Sequence, residues 1–235
     1  MWNSVFSGLG EWAEKRTVEK KIFKISRGGY KPGSDERAVE IPWAISCYQG
    51  ERKVLEVGCG FCTQEYIERL KKLPIEELHG IDISSASSPD FIRKTADIRD
   101  TGYKPDYFDM IFCISTLEHI GMDNSRYSPA ILDVRCRTRP DIESIGEMKR
   151  ILKRGGKLAL TVPFGKSKDY GWFVQYDKGM LDGLLKSSEM RLLRKDFFKY
   201  DKGWEQCAEK DLEHLLYNDN GALAACGVAC ILLTK

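Results

Sequence analysis

The run Val54-Leu55-Glu56-Val57-Gly58-Cys59-Gly60 constrains this chain more than any other feature. An apolar strand ends on an acid, and two glycines one residue apart then turn the chain toward a helix beginning near Thr63. Glycine has no Cβ and tolerates unusual dihedrals, so such a turn brings backbone N–H groups and a helix N-terminus close to a ligand. The segment reads as a cofactor loop. A phosphate-gripping loop needs Gly-Lys-Ser/Thr after the turn, whereas Phe61-Cys62-Thr63 stands here. A dinucleotide fingerprint needs a third glycine where Thr63 lies, and Glu56 would repel a pyrophosphate. The acid suits a cationic ligand instead.

From Lys53 onward, strands alternate with helices, the pattern of a parallel sheet with crossover helices. Strands are expected near residues 53–57, 78–82, 93–96, 110–114 and 157–162, with strand-like runs at 191–200 and 227–233 closing the sheet as a C-terminal hairpin. Tyr66, Ile67, Leu70 and Leu73 form one helical stripe, ended by Pro74. A second helix starts at Pro140-Asp141, carries Ile142, Ile145, Met148 and Ile151, and reaches Gly155-Gly156; a third spans 177–185. Residues 1–50 read as a helical extension that covers the substrate, and residues 51–235 as the main domain. Within the extension, Trp2, Phe6, Leu9, Trp12 and Ala13 have helical spacing, a basic run from Lys15 to Lys31 follows, and residues 38–48 form a short helix with Pro42 in its first turn.

The 235 residues suffice for one α/β domain with an embellishment, and the formal net charge of +2 gives no broad field for nucleic acid. Eight irregularly spaced cysteines and no secretory leader suggest reduced thiols and a cytoplasmic location. No apolar run reaches the ~20 residues of a membrane span. Cys59-Gly60-Phe61-Cys62 spells C-x-x-C, but no second pair of ligands accompanies it, so no metal is expected.

Asp82 ends the second strand, where an acid accepts hydrogen bonds from ribose hydroxyls. The run Asp109–Gly121 is a buried strand whose carboxyl end delivers Glu118 and His119 to the crevice where open α/β sheets bind ligands. A neutral imidazole is chemically apt as a base at physiological pH, and the alternative is that His119 lines a pocket. His79 and His214 read as structural or solvated. Arg135, Arg137 and Arg139 could grip an acidic sugar or phosphorylated carrier, or form a solvated basic loop, and the aromatic segment Tyr170–Tyr176 could be acceptor wall, lid or core.

VLEVGCG at 54–60, GIDIS at 80–84, and the segments 109–121 and 148–165 together resemble class I S-adenosylmethionine-dependent methyltransferases. The resemblance implies a doubly wound, mostly parallel seven-stranded sheet with an antiparallel C-terminal strand and a helical N-terminal extension. It implies S-adenosyl-L-methionine as cofactor, whose sulfonium and ammonium agree with Glu56. The implied cofactor residues are Glu56, Gly58, Cys59 and Gly60 at the turn, Asp82 and Ile83 after the second strand, and Ser115 after the fourth. Asp97 and Ile98 fall at the adenine position, with Asp100 as a competitor. His119 and Glu118 are the implied catalytic pair, the glutamate orienting the ring or contacting substrate. Glu118-His119-Ile120-Gly121 with Leu160–Gly165 is similar to members that modify glycans or sugars. Three functions stay open: an O-methyltransferase for a small molecule or glycan, an RNA- or protein-directed methyltransferase, and a non-catalytic S-adenosylmethionine-binding protein. Ser115-Thr116-Leu117-Glu118 replaces the Asn-Pro-Pro-Tyr type of amine-methylating motif, which argues against methylation of bases or amides.

Overall fold

The computed structural model describes residues 33–85, 90–125, 127 and 139–235. The expected helix at 2–13, the basic run 15–31, Arg135 and Arg137 lie outside the described residues. In chain order the elements are α1 (Arg37–Ser46), β1 (Lys53–Val57), α2 (Gln64–Lys71), β2 (Glu77–Asp82), β3 (Ile92–Thr95), β4 (Phe108–Ile114), α3 (Pro140–Ile151) and β5 (Leu152–Pro163). They continue with the short β6 (Lys168–Asp169) and β7 (Val174–Gln175), then α4 (Lys178–Ser188), β8 (Arg191–Tyr200), β9 (Trp204–Cys207) and β10 (Gly227–Thr234).

The main sheet runs β3-β2-β1-β4-β5-β10-β8-β9. β1 pairs in parallel with β2 on one side and β4 on the other, so the chain reverses its winding between β1 and β4. That reversal opens a crevice at the carboxyl ends of the two strands, the position where such sheets hold ligands. The expected seven strands are all present, and the short edge strand β9 extends the sheet beyond them. β10 is inserted antiparallel between β5 and β8 and is buried along its whole length, which explains its unbroken apolar run.

Two local expectations change. α1 begins at Arg37, so Pro42 lies inside the helix and not in its first turn. The buried face Val39, Ile41, Trp43 and Ala44 packs into the core, and that burial outweighs the backbone bond that proline forfeits. α3 stops at Ile151, and residues 152–156 belong to β5, because Leu152 pairs with Phe108 of β4. Arg139 sits just before α3 and donates to both oxygens of Asp141 at 3.0 and 2.8 Å, an end-of-helix pairing that occupies its fork. Side-chain caps fix two other helix starts. Thr63 accepts from the Tyr66 N–H at the head of α2, and Asp177 from the Met180 N–H at the head of α4.

Trp43 ties α1 to the antiparallel half of the sheet. Its indole Nε1 donates to Asp196 Oδ2 of β8 at 2.7 Å while its ring is fully buried. Trp43→Ala should lower unfolding free energy by about 3–5 kcal/mol, the usual cost of emptying a large buried aromatic site, as read from chemical denaturation.

Candidate functional site

The two glycines of the turn are required by close contacts. Gly58 has φ +86°, and a Cβ there would fall onto the Thr116 hydroxyl and 2.9 Å from its Cγ2. Thr116 has little room to retreat, because its hydroxyl shares one proton between the carbonyls of Val57 at 3.1 Å and Ile114 at 3.0 Å, linking the end of β1 to the end of β4. A Cβ on Gly60 would meet Ser84 Oγ at 2.5 Å. The bare turn lets the Gly60 N–H donate to Asp82 Oδ2 at 2.9 Å, while Asp82 Oδ1 accepts from the Ser84 N–H at 2.7 Å. The carboxylate is thereby fixed in orientation, 8% exposed, at the carboxyl end of β2.

A cavity of about 410 Å³ follows these strand ends, within the ~300–1,000 Å³ usual for small-ligand sites. Glu56, Gly58, Asp82, Ile83, Asp97, Ile98, Ser115 and His119 line it; Cys59, Gly60 and Glu118 do not. Cys59 and Gly60 shape the cradle from behind. At the β3 end, Arg99 forks onto Asp97 with Nε–Oδ1 3.0 Å and Nη2–Oδ2 2.7 Å. Burial raises the Asp97 pKa, but bonds from Arg99 outweigh it, so the carboxyl stays below its usual value. Asp100 is exposed and off the cavity, which separates it from its competitor Asp97.

Glu56 lies buried on the cavity wall, accepting from Tyr66 Oη at 2.7 Å and facing Cys62 Sγ at 3.8 Å. Burial pushes its pKa up to about 8, against the pull of the Tyr66 bond and the Arg37 charge. A ligand cation beside it would favour the ionised form. The C-x-x-C thiols serve separate neighbours: Arg93 Nη1 donates to Cys59 Sγ at 3.4 Å, and Cys62 faces Glu56. Burial raises the pKa of both, so neither is a ready thiolate.

Thr116 leads into a single 3-10 turn, Leu117–His119, which presents the histidine at the far end of the cavity. Nδ1 of His119 lies 2.8 Å from the carbonyl oxygen of Trp172, and the two rings stack with centroids 5.1 Å apart. A carbonyl only accepts, so Nδ1 carries the proton and the lone pair of the neutral ring sits on Nε2. Nε2 faces Tyr127 Oη at 3.3 Å and Glu118 Oε1 at 3.8 Å. Glu118 is 3% exposed, and burial holds its pKa well above the usual carboxylate range. It is not among the residues that line the cavity, and its carboxylate lies on the Nε2 side of the ring. Ser115 lines the cavity, but its hydroxyl donates to Glu40 Oε1 at 2.5 Å, and φ +39° marks the sharp exit from β4.

Sequence reasoning did not single out Arg37, Tyr66, Met122, Asn124 or Tyr127, all on the cavity wall. Phe61 was visible inside the turn motif; it is 52% exposed and meets Tyr127 at 5.0 Å between centroids. Arg37 had no local signal, since only folding brings α1 to β1 and β4. The aromatic segment divides: Phe173 and Tyr176 enter the core, and Trp172 fixes His119. His79 is buried against Tyr103, Tyr107 and Phe108, and His214 is exposed, away from the cavity. Among the described residues there is no group of ligands suited to a metal ion and no helix long and apolar enough to cross a membrane.

Residues 55–160 match the methyltransferase domain family. Solved structures with the same fold include a [4+2]-cyclase, SpnF, at 15% identity and TM-score 0.56, each chain covered over 94%. A SAM-dependent methyltransferase from Archaeoglobus fulgidus is similar at 18% identity and TM-score 0.51, over 80% of this chain and 88% of that one. The 1,6-didemethyltoxoflavin-N1-methyltransferase of Burkholderia thailandensis, solved with bound 1,6-didemethyltoxoflavin and S-adenosylhomocysteine, is similar at 9% identity and TM-score 0.53, over 84% of this chain and 78% of that one. No curated protein matches the chain. The class that the fold, the glycine cradle and the family match support is that of class I S-adenosylmethionine-dependent methyltransferases, with S-adenosyl-L-methionine as cofactor.

Glu56 gives this site a pH signature. Its folded-state pKa lies above its unfolded value of about 4.5, so its stabilising contribution is complete below pH ~4.5 and is lost as pH rises through about 8. Glu56→Gln should therefore gain thermal stability relative to wild type as pH is raised from 5 to 9, without ligand. Parallel melting curves for the two proteins across that range would refute the buried-acid assignment.

Proposed function

We propose that the protein transfers a methyl group from S-adenosyl-L-methionine to an oxygen of a small-molecule or glycan acceptor. The observation that carries this reading is His119: its tautomer is set by the Trp172 carbonyl, leaving Nε2 as a proton acceptor on the cavity wall. The bound cofactor supplies an electrophilic methyl on a sulfonium. In this assignment Asp82 accepts from the ribose, Asp97 and Ile98 hold the adenine, and the Gly58 turn allows close backbone approach. Glu56 is the acid nearest the cationic part of the ligand. His119 Nε2 takes the acceptor hydroxyl's proton as the oxygen attacks, and Trp172 holds the ring through Nδ1. Phe61 and Tyr127 lie together on the cavity wall, and in this assignment a sugar or planar acceptor stacks on them.

A cyclase among the structural neighbours and an N1-methyltransferase among the others show that the fold admits several chemistries, so the acceptor is assigned from the site alone. RNA- or protein-directed transfer is the second reading; the net charge of +2 gives it little electrostatic support. We assign residues 1–50 to covering the acceptor side and the protein to the cytoplasm.

Two measurements test the reading. Calorimetry should show one site for S-adenosylmethionine, and Asp82→Ala should weaken binding by about 1.5–3 kcal/mol or more, since it also frees the Gly60 and Ser84 N–H groups. Tight NAD binding in place of S-adenosylmethionine would overturn the cofactor assignment. With a working acceptor, His119→Gln should lower kcat by ~10²–10⁴ with little change in cofactor affinity. The wild-type rate should fall on acidification, since a protonated ring cannot accept the substrate proton. An unchanged kcat and pH profile in His119→Gln would assign the histidine to pocket lining.

A further inference from the structure

We propose that Arg37, on the first turn of α1, is the anchor for the carboxylate at the amino-acid end of the cofactor. This rests on the S-adenosylmethionine reading above and assigns a binding role to a residue that precedes the family-matched segment 55–160. Arg37 lines the cavity with its side chain 34% exposed. Nη1 donates to Glu40 Oε2 at 2.6 Å, and the other Glu40 oxygen is held by Ser115 Oγ at 2.5 Å, so the guanidinium is braced from the end of β4. Its Nε and Nη2 have no acceptor among the described residues, which leaves donors of a planar fork aimed at no protein group. A carboxylate matches such a fork.

The position along the cavity identifies which carboxylate. Asp97 and Ile98 lie over β3, Asp82 over β2 and the glycine turn over β1, so a ligand with adenine and ribose at the first two places continues past Gly58. There it meets Glu56 and Arg37, close enough for the Arg37 charge to act on the Glu56 carboxyl. The cofactor's amino-acid end carries one ammonium and one carboxylate, the complement of this acid and base. The surroundings suit a cation there: Glu36, Glu40 and Glu118 are buried nearby and act on Arg37, and Arg37 is the cation that an entering carboxylate would meet at this end of the cavity. The second guanidinium on the cavity wall, Arg99, lies at the opposite end beside Asp97.

The test compares S-adenosylhomocysteine with its decarboxylated analogue, which keeps the adenosine, sulfur and amine. Arg37→Gln should weaken S-adenosylhomocysteine about 10–100-fold by calorimetry and leave the analogue nearly unchanged, with Arg37→Lys intermediate. Equal losses for both ligands would make Arg37 structural, and no loss for S-adenosylhomocysteine would place the carboxylate elsewhere; either result overturns the assignment. Should Arg37→Gln fail to fold, Arg37→Lys decides by the same criterion, a selective loss for the carboxylated ligand. Wild-type protein that binds neither ligand would instead refute the cofactor reading itself.

Discussion

The site depends on the contact between Gly58 and Thr116. The crevice between β1 and β4 is produced by the reversal of winding, yet its floor is set by one hydroxyl whose proton is shared between the terminal carbonyls of both strands. That hydroxyl occupies the space a Cβ at position 58 would need. With Gly58 in the left-handed region the chain turns at once, the Gly60 N–H reaches Asp82, and the cavity keeps its wall at β2. From the same threonine the chain enters the short turn that presents His119. Cofactor cradle and proposed base are therefore positioned from one junction.

Charge is concentrated on the opposite wall, where α1 crosses the strand ends. Buried carboxyls at positions 36, 40, 56 and 118 lie around the Arg37 guanidinium, and burial raises the pKa of Glu36, Glu56 and Glu118. Burying ionised acids is costly, and proteins meet that cost by pairing or protonation. Here both occur: Glu40 pairs with Arg37 and Ser115, and burial pushes the Glu118 carboxyl well above its usual pKa, in the direction of the neutral acid.

Much of this was legible in the sequence. The alternation of apolar runs and helical stripes defined the parallel sheet, and the glycine turn with its following acid marked the cradle, because glycine spacing and strand ends are local properties. Local rules failed where tertiary packing intervened. Leu152–Gly156 looked like a helix end with a glycine stop, but pairing with β4 recruits these residues into β5. Pro42 looked like a helix start, but the buried Trp43 face holds the helix together around it.

The sequence by itself determined the order of elements, the cofactor turn and the residues at the strand ends, since each follows from neighbours a few positions apart. Only the tertiary structure decided which of those residues face the ligand. It buried Glu118, tied the Ser115 hydroxyl to Glu40 and brought Trp172 to fix the imidazole tautomer. It also placed Arg37 opposite Glu56, across a separation in sequence that no periodicity spans. The reason is that side-chain direction at a strand end depends on what packs against it, and those partners come from distant parts of the chain.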